Sequence, residues 1–369
     1  MKTNAELCHE RLSRIKRAVA FEKQDRVPVV PLATSFCANH VGVRMADFAV
    51  TPDLMTDTMI RSFTQLGEID GIQQPTFSAH VLSLAWLSKV KIPGRDVAED
   101  QPWQVAEEEL MTLEDYDTII KNGYNAFFGE FQASRLDNLM PKLMPMFEFM
   151  PEAIRRWNSV GIPVLSPFQA NMPYEYFCGG RTMPRFMRDL FSRADLVQEA
   201  CDAAMPDLVA TARATAQGIK SYGAWVGGWR SAPEFLNPKV WNRFVWPYMK
   251  RMAEVLLEEG VVPVFHLDSN WERELEHFLE MPKHSCIISP DHATDIFKIK
   301  KVLGDHMAIL GDVPAALFAL GTPEAVTEYC NRLLGEIGPE GFILSSGCDI
   351  PFNAKPANVA AMIASVHGK

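Results

Sequence analysis

The sequence predicts an α/β protein, a single (β/α)8 barrel of the TIM type with extra helices at its N-terminus and in insertions. Three observations predict it. Eight short apolar runs recur, each bounded by Gly, Pro, Asp or Asn. Amphipathic stretches of helical character separate them, and 369 residues suit a barrel that folds as one domain. Runs that are apolar throughout read as buried parallel strands, which need a long crossover between neighbours.

Taken in order, residues 1–27 read as a helical extension of a single domain spanning 1–369. The first three runs are Val29–Leu32, Ile69–Gln73 and Pro163–Pro167. The later five are Ala224–Gly227, Val261–His266, Ser285–Ser289, Met307–Leu310 and Gly341–Ser345. The stretches from about Ser78 to Gly161 and from Asn171 to Tyr222 exceed one crossover helix, and are expected to decorate the catalytic face. Asn237-Pro238 reads as an N-cap and first-turn proline before a helix over Lys239–Glu259, and Thr322-Pro323-Glu324 does the same before Ala325–Glu336. Gly260 and Gly338 stand where helix C-termini favour a left-handed residue.

Composition narrows the partners. Lys and Arg total 36 against 46 Asp and Glu, a formal charge of −10, so no basic excess exists to neutralise nucleic-acid phosphates. The segment Met1–Phe21 scatters Glu6, Glu10, Arg11, Arg14, Lys16 and Arg17 among its apolar residues, unlike a signal peptide. No apolar run approaches the ~20 residues of a membrane span, so a soluble, cytoplasmic protein is expected. Its seven cysteines are odd in number, widely spaced and free of any C-x-x-C pair, which predicts reduced thiols. The 18 Met, 8 Trp and 22 Phe either fill an interior or line a pocket for a flat apolar ligand.

Active sites of such barrels lie at the C-terminal ends of the strands. The fifth run continues Val264-Phe265-His266-Leu267-Asp268-Ser269-Asn270, where positions i and i+2 face the same way, so His266 and Asp268 can share the barrel mouth. The eighth continues Leu344-Ser345-Ser346-Gly347-Cys348-Asp349, which brings a thiol to another strand end. A nitrogen, a carboxylate oxygen and a thiolate at one opening would make a three-ligand zinc site with its fourth position open. The plainer alternative is a hydrogen-bonded His–Asp pair beside a buried, inert cysteine.

At these residues the chain resembles the uroporphyrinogen decarboxylase superfamily over nearly its whole length. The resemblance is carried by Phe265-His266-x-Asp268, Gly311-Asp312-Val313-Pro314, Gly321-Thr322-Pro323-Glu324 and Gly341–Pro351, leading into Ala354–Val359. It implies a (β/α)8 barrel and two candidate chemistries. Decarboxylases of this superfamily carry an R-Q-A-G-R segment after the first strand, whose guanidiniums hold the carboxylates of a tetrapyrrole. Here that place reads Pro31-Leu32-Ala33-Thr34-Ser35-Phe36-Cys37-Ala38-Asn39-His40, without an arginine, and a polycarboxylate needs cations. The other branch, zinc- and corrinoid-dependent methyltransferases, carries H-x-C and a distal G-C cysteine. This chain keeps the histidine as His266 and the cysteine as Cys348, with Asp268 in the middle position.

The resemblance therefore implies zinc held by His266, Asp268 and Cys348, in a methyltransferase of the O-demethylase type. It would move a methyl group from a small, aromatic ether to the Co(I) corrinoid of a separate protein. No D-x-H-x-x-G signature for a corrinoid occurs in the chain. Oxygen in place of one sulfur leaves a harder, more Lewis-acidic zinc, suited to an ether oxygen. Glu175, Glu234 or Asp312 could complete the shell or manage a proton, and spacing does not choose among them. Aromatics near the strand ends, Phe36, Phe77, Phe168, Tyr176, Trp225, Trp229 and Phe235, suit a flat donor, or simply pack the barrel. Competing readings are a metal-free decarboxylase, methyl transfer between corrinoid and a thiol, and a non-catalytic barrel that binds a ligand. Homodimerisation stays open.

Overall fold

The computed structural model describes residues 2–367. Its strands are β1 (Val90–Lys91), β2 (Gln104–Val105), β3 (Gly223–Gly228), β4 (Val262–Leu267), β5 (Ile287–Pro290), β6 (Ala308–Val313) and β7 (Phe342–Ser346). The last five form a parallel sheet in sequence order, β3-β4-β5-β6-β7, with a helix or helical turns between successive strands. These are the last five predicted runs, each apolar on both faces as a covered parallel strand requires.

The first three runs are extended but irregular. Val29 bridges Leu344 in parallel, Ile72 bridges Val164, and Gln169 bridges Trp225. Hydrogen bonds continue each contact: Val30 N–H to the Leu344 carbonyl (2.9 Å), Asp70 N–H to Val29 (2.8 Å), Leu165 N–H to Ile72 (2.8 Å) and Gly223 N–H to Leu165 (2.9 Å). Pro31, Pro163 and Pro167 stand in two of these runs, and a proline has no N–H to give a ladder. Pro263 and Pro290 are nonetheless accommodated in the ladders of β4 and β5.

Side chains pointing between the strands form one apolar cluster, of Val30, Leu32, Leu165, Trp225, Val264, Ile287, Ala308, Leu310 and Ile343, joined by Ile15, Ala18 and Val19. The last three belong to the helix Asn4–Val19, started by a Thr3–Glu6 capping box. This helix lies at the strands' N-terminal ends, where Lys16 sits over the Tyr222 ring and Ile15 reaches the Gly71 backbone. The opposite, C-terminal ends are thereby left for chemistry. Arg14 and Arg26 both bind Asp70, a fully buried carboxylate that also accepts the Val29 N–H at 2.9 Å.

The long insertions are helical as expected. The first holds helices Val81–Trp86, Glu114–Asn122, Tyr124–Arg135 and Met140–Ser159 plus the unforeseen β1–β2 hairpin, and the second holds Pro173–Arg181, Met183–Ser192 and Ala194–Ile219. Two helix expectations need correction. The stretch predicted over Lys239–Glu259 is two helices, Pro238–Phe244 and Trp246–Glu258, broken at Val245. Pro247 follows the break and can stand only in a first turn, since it lacks an N–H. Gly260 takes a left-handed φ of +73°, but Gly338 does not, because its helix ends through right-handed Ile337. Asn237 and Thr322 cap as predicted, accepting the Val240 and Ala325 N–H groups. No helix among the described residues is long and apolar enough to cross a membrane.

Candidate metal centre at the strand ends

β4 carries His266 in register with Gly227 on β3 and Ser289 on β5. The imidazole is buried, stacked on Trp225 with ring centroids 4.4 Å apart and planes 10° off parallel. Its Nδ1 lies 3.4 Å from Ser289 Oγ, leaving Nε2 to face Asp268 Oδ1 at 3.5 Å. Asp268 extends the strand path, its N–H bonded to the Gly228 carbonyl at 3.0 Å. Ser269 then turns the chain at φ +70°.

Cys348 arrives two residues beyond β7. Gly347 N–H binds the Val313 carbonyl at 3.1 Å, and Asp349 accepts from Thr34 N–H (2.8 Å) and Oγ1–H (2.5 Å), so the thiol is fixed from both sides. Gly347 is required here, since a Cβ would stand 2.7 Å from the Asp291 carbonyl oxygen. Among the described residues, His266, Asp268 and Cys348 form the one group of three such donors, with one ligand atom of each lying within 4.8 Å of the others.

The donor set fits a metal. Tetrahedral zinc with bonds of about 2.0–2.3 Å sets neighbouring donors roughly 3.3–3.8 Å apart, a range that includes the His266–Asp268 separation of 3.5 Å. Asp268 Oδ1 is buried with no hydrogen-bond partner, although the side chain keeps 33% exposure through its outer part. Burial penalises the charge on every donor. It lowers His266 to about 4 and raises Asp268 to about 8, with help from Asp291 and Glu175, and it pushes the Cys348 thiol well up, helped by Asp268 and Asp349. A divalent cation among them would offset the penalty on both anions and take up the neutral imidazole.

The three carboxylates weighed from sequence stand outside this group. Glu175 is fully buried and accepts from Trp229 N–H (3.1 Å), Arg230 N–H (3.0 Å) and Ser231 Oγ–H (2.7 Å), which shapes the turn after β3. Glu234 is exposed and accepts the Asn270 N–H at 2.9 Å. Asp312 is buried, bonded to Tyr329 Oη (2.7 Å) and His292 Nδ1 (3.2 Å).

Of the aromatics, Trp225 and Trp229 come to the donor end. The Trp229 ring covers Gly227, whose absent Cβ would be 2.8 Å from it, and it meets Trp86 edge-on at 5.3 Å. Phe36 instead stacks on His40 (5.5 Å), while Phe77 packs at a tilt against Trp103 (5.3 Å) and Tyr176 against Tyr124 (5.4 Å). Phe168 packs half-buried on the core, and Phe235 is 45% exposed. Three further residues shape the site. Gln73 links Trp225 Nε1 (3.2 Å) to Ser345 Oγ (3.1 Å) beneath it, and Trp86 stacks under Arg230. Asp291 holds the Ser269 N–H at 2.8 Å and abuts Gly347, so it ties both donor loops together. Asp291 follows an apolar run directly, the position that marked His266 and Cys348; Gln73 and Trp86 carry no comparable signal.

The family and the fold can now be named from comparison. The sequence profile of the uroporphyrinogen decarboxylase (URO-D) family matches residues 165–369, and the chain belongs to that family. Curated relatives include uroporphyrinogen decarboxylases of Syntrophotalea carbinolica, 26% identical over 175 residues (47% of this chain, 48% of that one), and of Ovis aries, 25% identical over 204 residues (51% and 52%). Another from Myxococcus xanthus is 26% identical over 231 residues (59% and 63%). The matches thus span from about half to less than two thirds of those relatives. A solved methyltransferase from Methanosarcina mazei superposes with a TM-score of 0.69 at 17% identity, covering 96% of this chain and 97% of that one. At that identity the likeness shows the fold.

Proposed function

We propose that this chain is a zinc-dependent methyltransferase that moves a methyl group from a small aromatic methyl ether to the Co(I) corrinoid of a separate protein. The observation that carries the reading is the convergence of His266, Asp268 and Cys348 with one carboxylate oxygen buried and unpartnered. These residues would hold zinc, which when bound supplies a Lewis acid for the ether oxygen. Trp225 and Trp229 offer flat walls for an aromatic ring. The bridged segments 28–32, 69–73 and 163–170 would complete the five-stranded sheet into a (β/α)8 barrel whose mouth admits the partner.

The second reading, decarboxylation of a tetrapyrrole, is favoured by the names of the curated relatives. Against it stands the cation supply. Residues 31–40 contain no arginine, and Arg230 near the mouth is already paired with Glu107 through two 3.0 Å contacts. A polycarboxylate would find little free positive charge there.

Metal content tests the reading. Wild-type protein purified without chelators should hold one zinc per chain, and His266→Ala and Cys348→Ala should each lose most of it. Well under one zinc in the wild type sinks the proposal. Zinc-loaded protein should also release catechol from 2-methoxyphenol when free cob(I)alamin is supplied as acceptor, whereas conversion of uroporphyrinogen in chelator would favour decarboxylation.

A further inference from the structure

We propose that Asn171 binds a hydroxyl on the ring of the methyl donor, which makes that donor a methoxyphenol rather than a plain aryl ether. This rests on the methyl-transfer reading. Gln169 bridges Trp225, and the Ala170 N–H binds the Trp225 carbonyl at 2.7 Å. Continuing that register by two residues sets Asn171 level with Gly227, whose partner on β4 is His266. Two strand spacings, about 10 Å, therefore separate the Asn171 and His266 backbones at the same end of the strands.

Alternation gives the direction. Leu165 and Trp225 point between the strands, Gln169 shares the face of its bridge partner Trp225, and Asn171 is the next residue on that face. The Trp229 ring lies over the intervening Gly227, where a Cβ would stand 2.8 Å from it. An aromatic donor laid against that ring turns one side toward His266 and the other toward Asn171.

The Asn171 side chain is 2% exposed, and both its amide oxygen and its amide nitrogen are buried without a hydrogen-bond partner. An amide left so costs stability that an apolar residue of the same shape would not. The Tyr176 hydroxyl stands beside it, with the Tyr124 ring packed on Tyr176, and the Tyr124 hydroxyl is buried and unpartnered too. Among the described residues, no charged side chain acts on either hydroxyl. A carboxylate or phosphate brought there would be a buried anion without a cation, so the group received is neutral. The amide offers both donor and acceptor, and a phenolic hydroxyl answers both with its oxygen and its proton.

The competing explanation is that Asn171 only packs the insertion, its amide served by buried water. Calorimetric titration of the zinc-loaded protein with methoxybenzene and with 2-, 3- and 4-methoxyphenol separates the two without corrinoid or turnover. At least one methoxyphenol should bind about tenfold more tightly than methoxybenzene. Asn171→Leu should erase that preference by weakening the phenol while leaving methoxybenzene affinity little changed. A wild type that binds all these ethers within about twofold of one another overturns the proposal, and so does a preference that survives in Asn171→Leu. If such a protein still releases catechol from 2-methoxyphenol with cob(I)alamin, the methyl-transfer reading stands without the proposal. Failure of the zinc-loaded wild type to release catechol removes that reading, and the proposal with it.

Discussion

The strands from Gly223 to Ser346 and the extended segments from Pro28 to Ala170 flank one interior, yet they are held by different means. The later strands are joined by continuous parallel ladders, six residue pairs between β3 and β4 and five between β6 and β7. The earlier segments keep single bridges, and side chains supply the missing order: Asp70 gathers Arg14, Arg26 and the Val29 N–H, and Gln73 links Trp225 to Ser345. The three donors all come from the laddered part. Regular hydrogen bonding is thus concentrated where the three donor side chains converge, and the irregular part carries the long insertions.

This contrast can be broken hardest at Asp70. Asp70→Ala leaves Arg14 buried without its deepest partner, and should cost about 3–5 kcal/mol in denaturant unfolding. Zinc affinity of the protein that remains folded should change little. A loss under 1 kcal/mol would mean that the bridges alone hold the early segments.

Glu175 joins the two parts, since its helix Pro173–Arg181 belongs to the inserted layer and its carboxylate shapes the turn after β3. Burial outweighs its hydrogen bonds and raises it from the ordinary 4.5 to about 7. The sign follows from linkage. A carboxyl that is harder to ionise in the fold adds no penalty below its unfolded value, then destabilises progressively as pH climbs toward 7. Zinc-free wild type should therefore lose stability between about pH 4.5 and 7 relative to Glu175→Gln. Parallel stability curves for the two proteins would show that Glu175 does not titrate in this window.

The smallest effect belongs to the regular part. Asn237→Ala removes the cap on Val240 N–H at 3.0 Å, and should cost about 1 kcal/mol in thermal or denaturant unfolding. Zinc binding should be unaffected, because β4 is held by its ladders on both sides.

The same contrast explains what the sequence made legible. Local signals sufficed where local bonding dominates, so β3 to β7, the Asn237 and Thr322 caps and the His266, Asp268 and Cys348 donors all follow from apolar runs and the residues after them. In the early segments, Val29–Leu32, Ile69–Gln73 and Pro163–Pro167 reveal the path but not its irregularity. Within the stretch Lys239–Glu259, Pro247 does mark the break at Val245. Gln73 and Trp225 are 152 residues apart, and no periodicity connects them. The packing of Phe36, Phe77 and Tyr176 against other rings is equally hidden, because an aromatic near a strand end has no local mark telling wall from packing.

The seat of Gly347 on the Asp291 carbonyl bears on how such a protein can change over generations. A side chain at 347 would push apart the two loops that bring Asp268 and Cys348 together, so the reacting end tolerates few exchanges. The helices between Ser78 and Tyr222 carry none of the three donors. Apart from Glu175, which braces the turn after β3, that layer can change in sequence without touching a donor side chain.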